Sequence, residues 1–252
     1  MRKYKIFLAI LIILTLVGCG RRQDSTPEET IPPNKFSPDD FAYEDGYLSC
    51  TAADAVMGID VSRYQGDIDW RQVKAAGVEF VMIRLGYRGT SEGTLNQDPM
   101  FWRNLLGARV AGLKVGAYFF SQALNVDEAE EEAAYALKIL DGVSLDMPLV
   151  FDWEQADRTE NMDAQTLTDC TKAFCAAVEK AGYEPMIYFN SFQAKELLHL
   201  LELQEIPWWL AMYDVTMEFP YRMDMWQYSC TGTVPGIDGK VDLNLLFKDG
   251  LI

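Results

Sequence analysis

The chain has 252 residues, with 38 acidic against 22 basic side chains and a formal net charge of −16. So negative a surface excludes nucleic acid and an anionic membrane face as partners held by charge. The lone histidine, His199, sits in the apolar run Leu197-Leu198-His199-Leu200-Leu201 and reads as a structural side chain on a helix, which leaves no basis for a Ser-His-Asp triad or a histidine-rich metal site.

From the start of the chain, Arg2, Lys3 and Lys5 precede an apolar stretch from Ile6 to Val17 and then Leu16-Val17-Gly18-Cys19. The stretch falls short of the roughly 20 residues that span a bilayer, which favours a cleaved leader. It resembles a bacterial lipoprotein signal peptide. That implies residues 1–18 are removed, Cys19 is lipidated, and the protein is exported and held by lipid at the outer face of a bacterial membrane. Residues 19–54 are polar and punctuated, as in Ser25-Thr26-Pro27-Glu28-Glu29-Thr30 and Ile31-Pro32-Pro33-Asn34, and are expected to form a flexible tether. Residues 55–252 suffice for one domain with a full core. The cysteines Cys50, Cys170, Cys175 and Cys230 suggest no disulfide framework.

Between residues 69 and 190 a rhythm recurs: an amphipathic stretch stops at a glycine and a short apolar run follows. Gly77 precedes Glu79 to Leu85, Gly112 precedes Lys114 to Phe120, Gly142 precedes Met147 to Glu154, and Gly182 precedes Pro185 to Phe189. Glycine just past a helix end suits the left-handed stop, and near-continuous apolar strands belong to parallel sheets buried on both faces. Asn125, with Glu128 three residues on, and Asp163, opening the stretch to Ala181, read as helix N-caps. Beyond residue 205 the pieces Trp208 to Tyr213 and Met225 to Tyr228 lie too close together for full helices between them. The fold class is therefore α/β: a single β/α barrel of parallel strands with a reduced helix set in its C-terminal part, or a doubly wound sheet.

Phe151-Asp152-Trp153-Glu154 ends the apolar run Met147-Pro148-Leu149-Val150, and residues two apart on a strand share a face. Two like charges held together cannot comfortably ionise at once, so one acid keeps its proton longer. A glycosidase needs such a pair, one group to protonate the leaving oxygen and one to stabilise the positive ring. The Cα separation of about 6.6 Å for residues two apart on a strand lies between the retaining and inverting carboxyl spacings and leaves the stereochemistry open. Asp60, in Gly58-Ile59-Asp60-Val61-Ser62, and Asp242, in Lys240-Val241-Asp242-Leu243-Asn244, add two more acidic strand ends from distant segments.

With Gly58 to Gly66, Ile68-Asp69-Trp70, Phe80 to Tyr87, Ala111 to Tyr118, the Asp-Trp-Glu, Trp209 to Tyr213, Trp226-Gln227-Tyr228-Ser229 and Val241 to Asn244, the chain resembles glycoside hydrolase family 25, the lysozyme-like muramidases. The resemblance runs from Gly58 to Phe247. It implies a catalytic domain over residues 55–252 that cleaves the β-1,4 bond between N-acetylmuramic acid and N-acetylglucosamine in peptidoglycan glycan strands. Glu154 matches the general acid, Asp152 its partner carboxylate, and Asp60 and Asp242 the flanking acids, at the carboxyl ends of barrel strands. The 2-acetamido group of such a substrate points to substrate-assisted retention.

Tyr64, Tyr118, Tyr188, Tyr213 and Trp226 are candidate stacking faces for sugars, with core packing the alternative. Arg84 is expected to pair with an acid near the site. Where many members carry a histidine after the fourth block's tyrosine, this chain has Phe119-Phe120. Gly86-Tyr87-Arg88-Gly89 with Gly93 lacks both the dinucleotide and the phosphate-loop patterns and reads as a loop beside the site. No cofactor or metal is expected, and the protein is expected to act as a monomer. The competing reading is a non-catalytic glycan-binding lipoprotein on the same barrel, free to lose acids that this chain retains.

Overall fold

The helix, glycine and strand rhythm is realised in the computed structural model, which describes residues 30–213 and 217–248. The expected leader and Cys19 lie outside the described residues. In chain order the elements are β1 (Phe41–Glu44), β2 (Tyr47–Cys50), β3 (Ala55–Val61), α1 (Trp70–Ala75), β4 (Phe80–Arg88), β5 (Leu95–Gln97), α2 (Phe101–Val110) and β6 (Lys114–Ser121). They continue with α3 (Val126–Leu140), β7 (Leu149–Trp153), α4 (Ala164–Lys180), β8 (Pro185–Asn190), α5 (Ser191–Glu196), β9 (Trp208–Ala211), β10 (Met225–Gly232) and β11 (Val241–Phe247). Both expected caps form: the Asn125 side chain accepts from the Glu128 N–H at 3.0 Å and Asp163 from the Thr166 N–H at 3.0 Å. Each satisfies a donor that the first helical turn leaves without an intrahelical partner. Gly112 and Gly182 follow helix ends at φ +80° and +87°, a region that side chains with a Cβ rarely adopt.

Eight strands close into a barrel in the order β3-β11-β10-β9-β8-β7-β6-β4, with β4 pairing back onto β3. The short β5 hairpins onto the end of β4, where Gly86 faces Gln97. Gly86 to Arg88, expected as loop, are therefore strand. The barrel is also not wholly parallel: β11 runs antiparallel to both β10 and β3. No helix separates β10 from β11, and a crossover is what a parallel pair would require.

Alternation divides the barrel's side chains between two cores. Val56, Phe80, Met82, Tyr118, Met147, Val150, Met186, Trp209, Met225 and Leu246 fill the interior. Ile59, Val81, Ile83, Phe119, Leu149, Phe151, Trp153, Phe189 and Trp208 point outward to the second core, which the helices share. Gly58 has an interior role, because a Cβ there would come within 2.1 Å of the Phe80 ring.

Among the described residues no helix covers the outer faces of β10 and β11, which carry Trp226, Tyr228, Leu245 and Phe247. Fully burying each such side chain is worth roughly 1.5–3 kcal/mol. Residues 31–53 supply the cover, which corrects the expectation of a tether running to residue 54. Phe36 stacks on Phe247 at 4.5 Å, Phe41 meets Trp226 edge-on at 5.1 Å, and the Leu48 N–H donates to the Tyr228 hydroxyl at 3.3 Å. An isolated bridge joins Pro33 to Tyr221. Short strands with sparse apolar residues hid this in the sequence.

Candidate active site

Above the apolar interior, the same inward-facing positions turn polar. Along β3 the inward row is Val56, Gly58, Asp60; along β4 it is Phe80, Met82, Arg84; along β7 it is Val150 and Asp152, with Glu154 one step past the strand. These rows open into a cavity of about 220 Å³ lined by Asp60, Asp152, Glu154, Asp242, Arg84 and the aromatic residues Tyr64, Tyr118, Phe120, Tyr188, Trp209 and Tyr213. All four sequence-predicted acids thus come together at one mouth.

Asp242 reaches this rim by an unexpected route. It stands at the start of β11, not at a carboxyl end, and because β11 is antiparallel its first residues lie beside the end of β3, with Asp242 opposite Asp60 in register. One Asp60 oxygen accepts from Gln227 Nε2 and from Asn244 Nδ2, both at 2.8 Å. Gln227 Oε1 in turn accepts from the hydroxyls of Tyr188 at 2.9 Å and Tyr213 at 2.6 Å, and Trp209 Nε1 donates to Asn244 Oδ1 at 2.8 Å. This chain of bonds orients Asp60 and aligns three aromatic side chains around it.

The opposite wall is less satisfied. Arg84 is committed through Nε to the buried Asp98 at 2.8 Å, and its guanidinium lies over the rings of Tyr64 at 5.0 Å and Tyr87 at 5.2 Å. Its Nη2, like Asp152 Oδ1, is buried without a hydrogen-bond partner. The Glu154 carboxyl has no partner among the described residues.

Burial pushes the Asp152 carboxyl well above the usual range, and the charges of Glu154 and Asp60 push it further, against some relief from Arg84. Asp60 is driven up by burial and then by Asp242, although Asn244 and Gln227 oppose the rise. Glu154 is raised by loss of water and by the Asp242 charge. Its side chain still opens to solvent at the mouth; the walls around it, rather than full enclosure, strip the water. Asp242 is also raised, chiefly by burial. The cluster therefore holds protons at pH values where exposed carboxylates are ionised, as a proton donor beside a carboxylate requires.

Tyr64, Tyr118, Tyr188, Tyr213 and Arg84 all line the cavity. Trp226 does not. Alternation on β10 turns Met225 and Gln227 inward and Trp226 outward, where it is fully buried against Phe41 and Tyr228 and donates Nε1 to the Met212 carbonyl at 2.8 Å. His199 is not helical: it is an exposed residue preceding a short 3-10 turn, Leu200–Leu203. Sequence reasoning missed Gln227, Asn244, Trp209 and Asp98. For Asn244 a signal existed, since it lies two residues after Asp242 and must share its face.

Residues 59–237 match the family model described as glycosyl hydrolases family 25. An uncharacterized Escherichia coli K12 protein, YegX, is 32% identical over 204 residues, 77% of this chain and 70% of that one. Lysozyme M1 of Streptomyces globisporus is 30% identical over 213 residues, 75% of this chain and 67% of that one. Among solved structures, the modular autolysin LytC of Streptococcus pneumoniae in complex with a synthetic peptidoglycan ligand superposes with a TM-score of 0.69 at 24% identity, a likeness of fold. The match covers 82% of this chain and about half, 52%, of LytC.

Proposed function

The chain belongs to glycosyl hydrolase family 25, and from that premise we propose that it hydrolyses peptidoglycan at the β-1,4 bond between N-acetylmuramic acid and N-acetylglucosamine. The observation that carries this is the convergence of Asp60, Asp152, Glu154 and Asp242 on one cavity at the barrel mouth. Glu154, raised by its surroundings and open to solvent, donates a proton to the glycosidic oxygen as the C–O bond breaks. The substrate's own 2-acetamido oxygen closes on the anomeric carbon, and Asp152, with its unpaired buried oxygen, orients that group and offsets the positive charge that develops on it. Glu154, now a carboxylate, takes a proton from the incoming water, and the sugar leaves with retained configuration. Asp60 and Asp242 position and tune the pair. Tyr64, Tyr118, Tyr188 and Tyr213 offer faces and hydroxyls to the sugars, and Arg84 supplies the remaining donor.

The proposal places the enzyme outside the cytoplasm, anchored by lipid on Cys19. The basic start, short apolar run and Gly18-Cys19 junction support it. Cys19→Ser should abolish lipid labelling and leave the precursor unprocessed; undiminished labelling would refute the anchor. For the activity, the decisive test is the release of new reducing ends from purified peptidoglycan, with mass spectrometry of the sugars. Reducing N-acetylmuramic acid ends are expected. Reducing N-acetylglucosamine would make the enzyme a glucosaminidase, and binding without release would make it a glycan-binding module.

A further inference from the structure

The ladder of β7 stops just short of the residue the mechanism needs held. Its last register pairs are Ser121 with Trp153 on the β6 side and Tyr188 with Asp152 on the β8 side. Beyond them, two buried glutamines continue the hydrogen bonding from either flank. Gln122, the residue after β6, donates Nε2 to the Glu154 carbonyl, and Gln193, on α5 just after β8, donates Nε2 to the Trp153 carbonyl at 2.6 Å. Both side chains are buried, Gln122 completely. We infer that Gln122 and Gln193 form a two-sided clamp of positioning residues that sets where the Glu154 side chain stands relative to the scissile bond.

Each arm is itself anchored. Gln193 Oε1 accepts from the Asn190 N–H at 2.8 Å and its own N–H donates to Asn190 Oδ1 at 3.0 Å, so the start of α5 fixes it. The Gln122 carbonyl accepts from Arg158 Nη1, and its N–H donates to Glu132 Oε1 at 3.3 Å. Arg158 pairs with Glu128 and Arg88 with Glu132, so an ion network behind the barrel wall grips Gln122. Gln122 Oε1 is left buried and unpaired. An apolar group of the same length would avoid that unpaired oxygen but would leave the Ser121 and Glu154 carbonyls without this donor. The amide thus adds a donor that ties the Glu154 main chain to the end of β6, where it also meets the Ser121 carbonyl at 3.1 Å. A displacement of about 1 Å in a reacting group can cost on the order of 10²-fold in rate.

The inference rests on Glu154 being the proton donor, so Glu154→Gln is assayed beside the clamp variants with the same purified peptidoglycan. Gln122→Met, of similar length and without a donor, is expected to lower kcat by about 10²-fold while KM stays within about twofold. Gln193→Met should lower kcat less, because Trp153 is still tied to β6. Gln122→Glu gives a readout that a merely structural role would not: as pH falls its carboxyl protonates, regains a donor, and kcat recovers, whereas Gln122→Met stays low throughout. A folded Gln122→Met with parental kcat, or a Gln122→Glu profile parallel to that of Gln122→Met, overturns the clamp. If Glu154→Gln is dead while Gln122→Met is fully active, only the clamp fails; if Glu154→Gln is active, the proton-donor reading has failed instead. Should Gln122→Met not fold, Arg158→Gln instead loosens Gln122 itself, by removing the donor to its carbonyl from a half-buried position. A reduced kcat at unchanged KM then supports the clamp, and no reduction overturns it.

Discussion

Two clusters of carboxylates lie on opposite sides of the same barrel wall, and their surroundings treat them differently. At the mouth, Asp60, Asp152, Glu154 and Asp242 share a cavity whose cation, Arg84, is already paired with Asp98. Behind the wall, Glu128, Glu131 and Glu132 of α3 face Arg88 and Arg158 at 2.6 to 2.7 Å. Burial would raise Glu128, but the bonds from Arg158 hold it below the usual range. The mouth acids, which form no ion pair among the described residues, are all raised. Compensated acids build; uncompensated acids keep a proton to give. Glu132 is intermediate: burial lifts it to about 7 even though Ser121 and Arg88 pull it down.

The largest effect should come from the uncompensated side. Glu154→Gln keeps size and hydrogen-bonding capacity but has no transferable proton, so turnover should fall by about 10²–10⁴-fold while the thermal midpoint holds. Steady-state release of reducing ends measures it, and near-parental turnover would erase the distinction between the clusters. On the compensated side, Arg88→Met should act on stability, costing about 3–5 kcal/mol in denaturant unfolding because buried Glu132 loses its partner. A change within about 0.5 kcal/mol would mean the pair contributes nothing net.

Asp242→Asn sharpens the electrostatic half of the contrast. In the proposed mechanism the acid form of Glu154 is the active one, and the Asp242 charge raises its pKa, so removing that charge should move the alkaline limb of the kcat/KM profile to lower pH. An unmoved limb would show that burial alone sets the proton. The smallest effect concerns Glu132. Its folded pKa of about 7 lies above the 4.5 of the unfolded chain, so the associated stability is fully present below pH 4.5 and is lost as pH rises through 7. The unfolding free energy from urea titrations should decline across that window by on the order of 3 kcal/mol at most. In Glu132→Gln that decline should flatten.

Local chemistry was legible in the chain. Asn125 and Asp163 cap helices because a short side-chain oxygen three residues before an N–H can do little else so well. The glycine stops and apolar runs marked the alternating half of the barrel, and Asp152 and Glu154 share a face because a strand's period is two. What pairing over long distances decides was not legible. A run such as Met225 to Tyr228 has two faces, and only closure of the barrel shows that Gln227 enters the site and Trp226 leaves it. The short link before Asp242 leaves no room for a crossover helix, but its place beside Asp60 follows only from the register of β11 on β3. Residues 31–53 look like linker until β10 and β11 present an outer face that no helix covers. The sequence by itself determined the capped helices, the strands of the alternating half and the acids available for chemistry, since these depend on neighbours a few residues apart; the tertiary structure alone decided which residues meet and which charges go uncompensated, because contacts between distant segments set burial and partners.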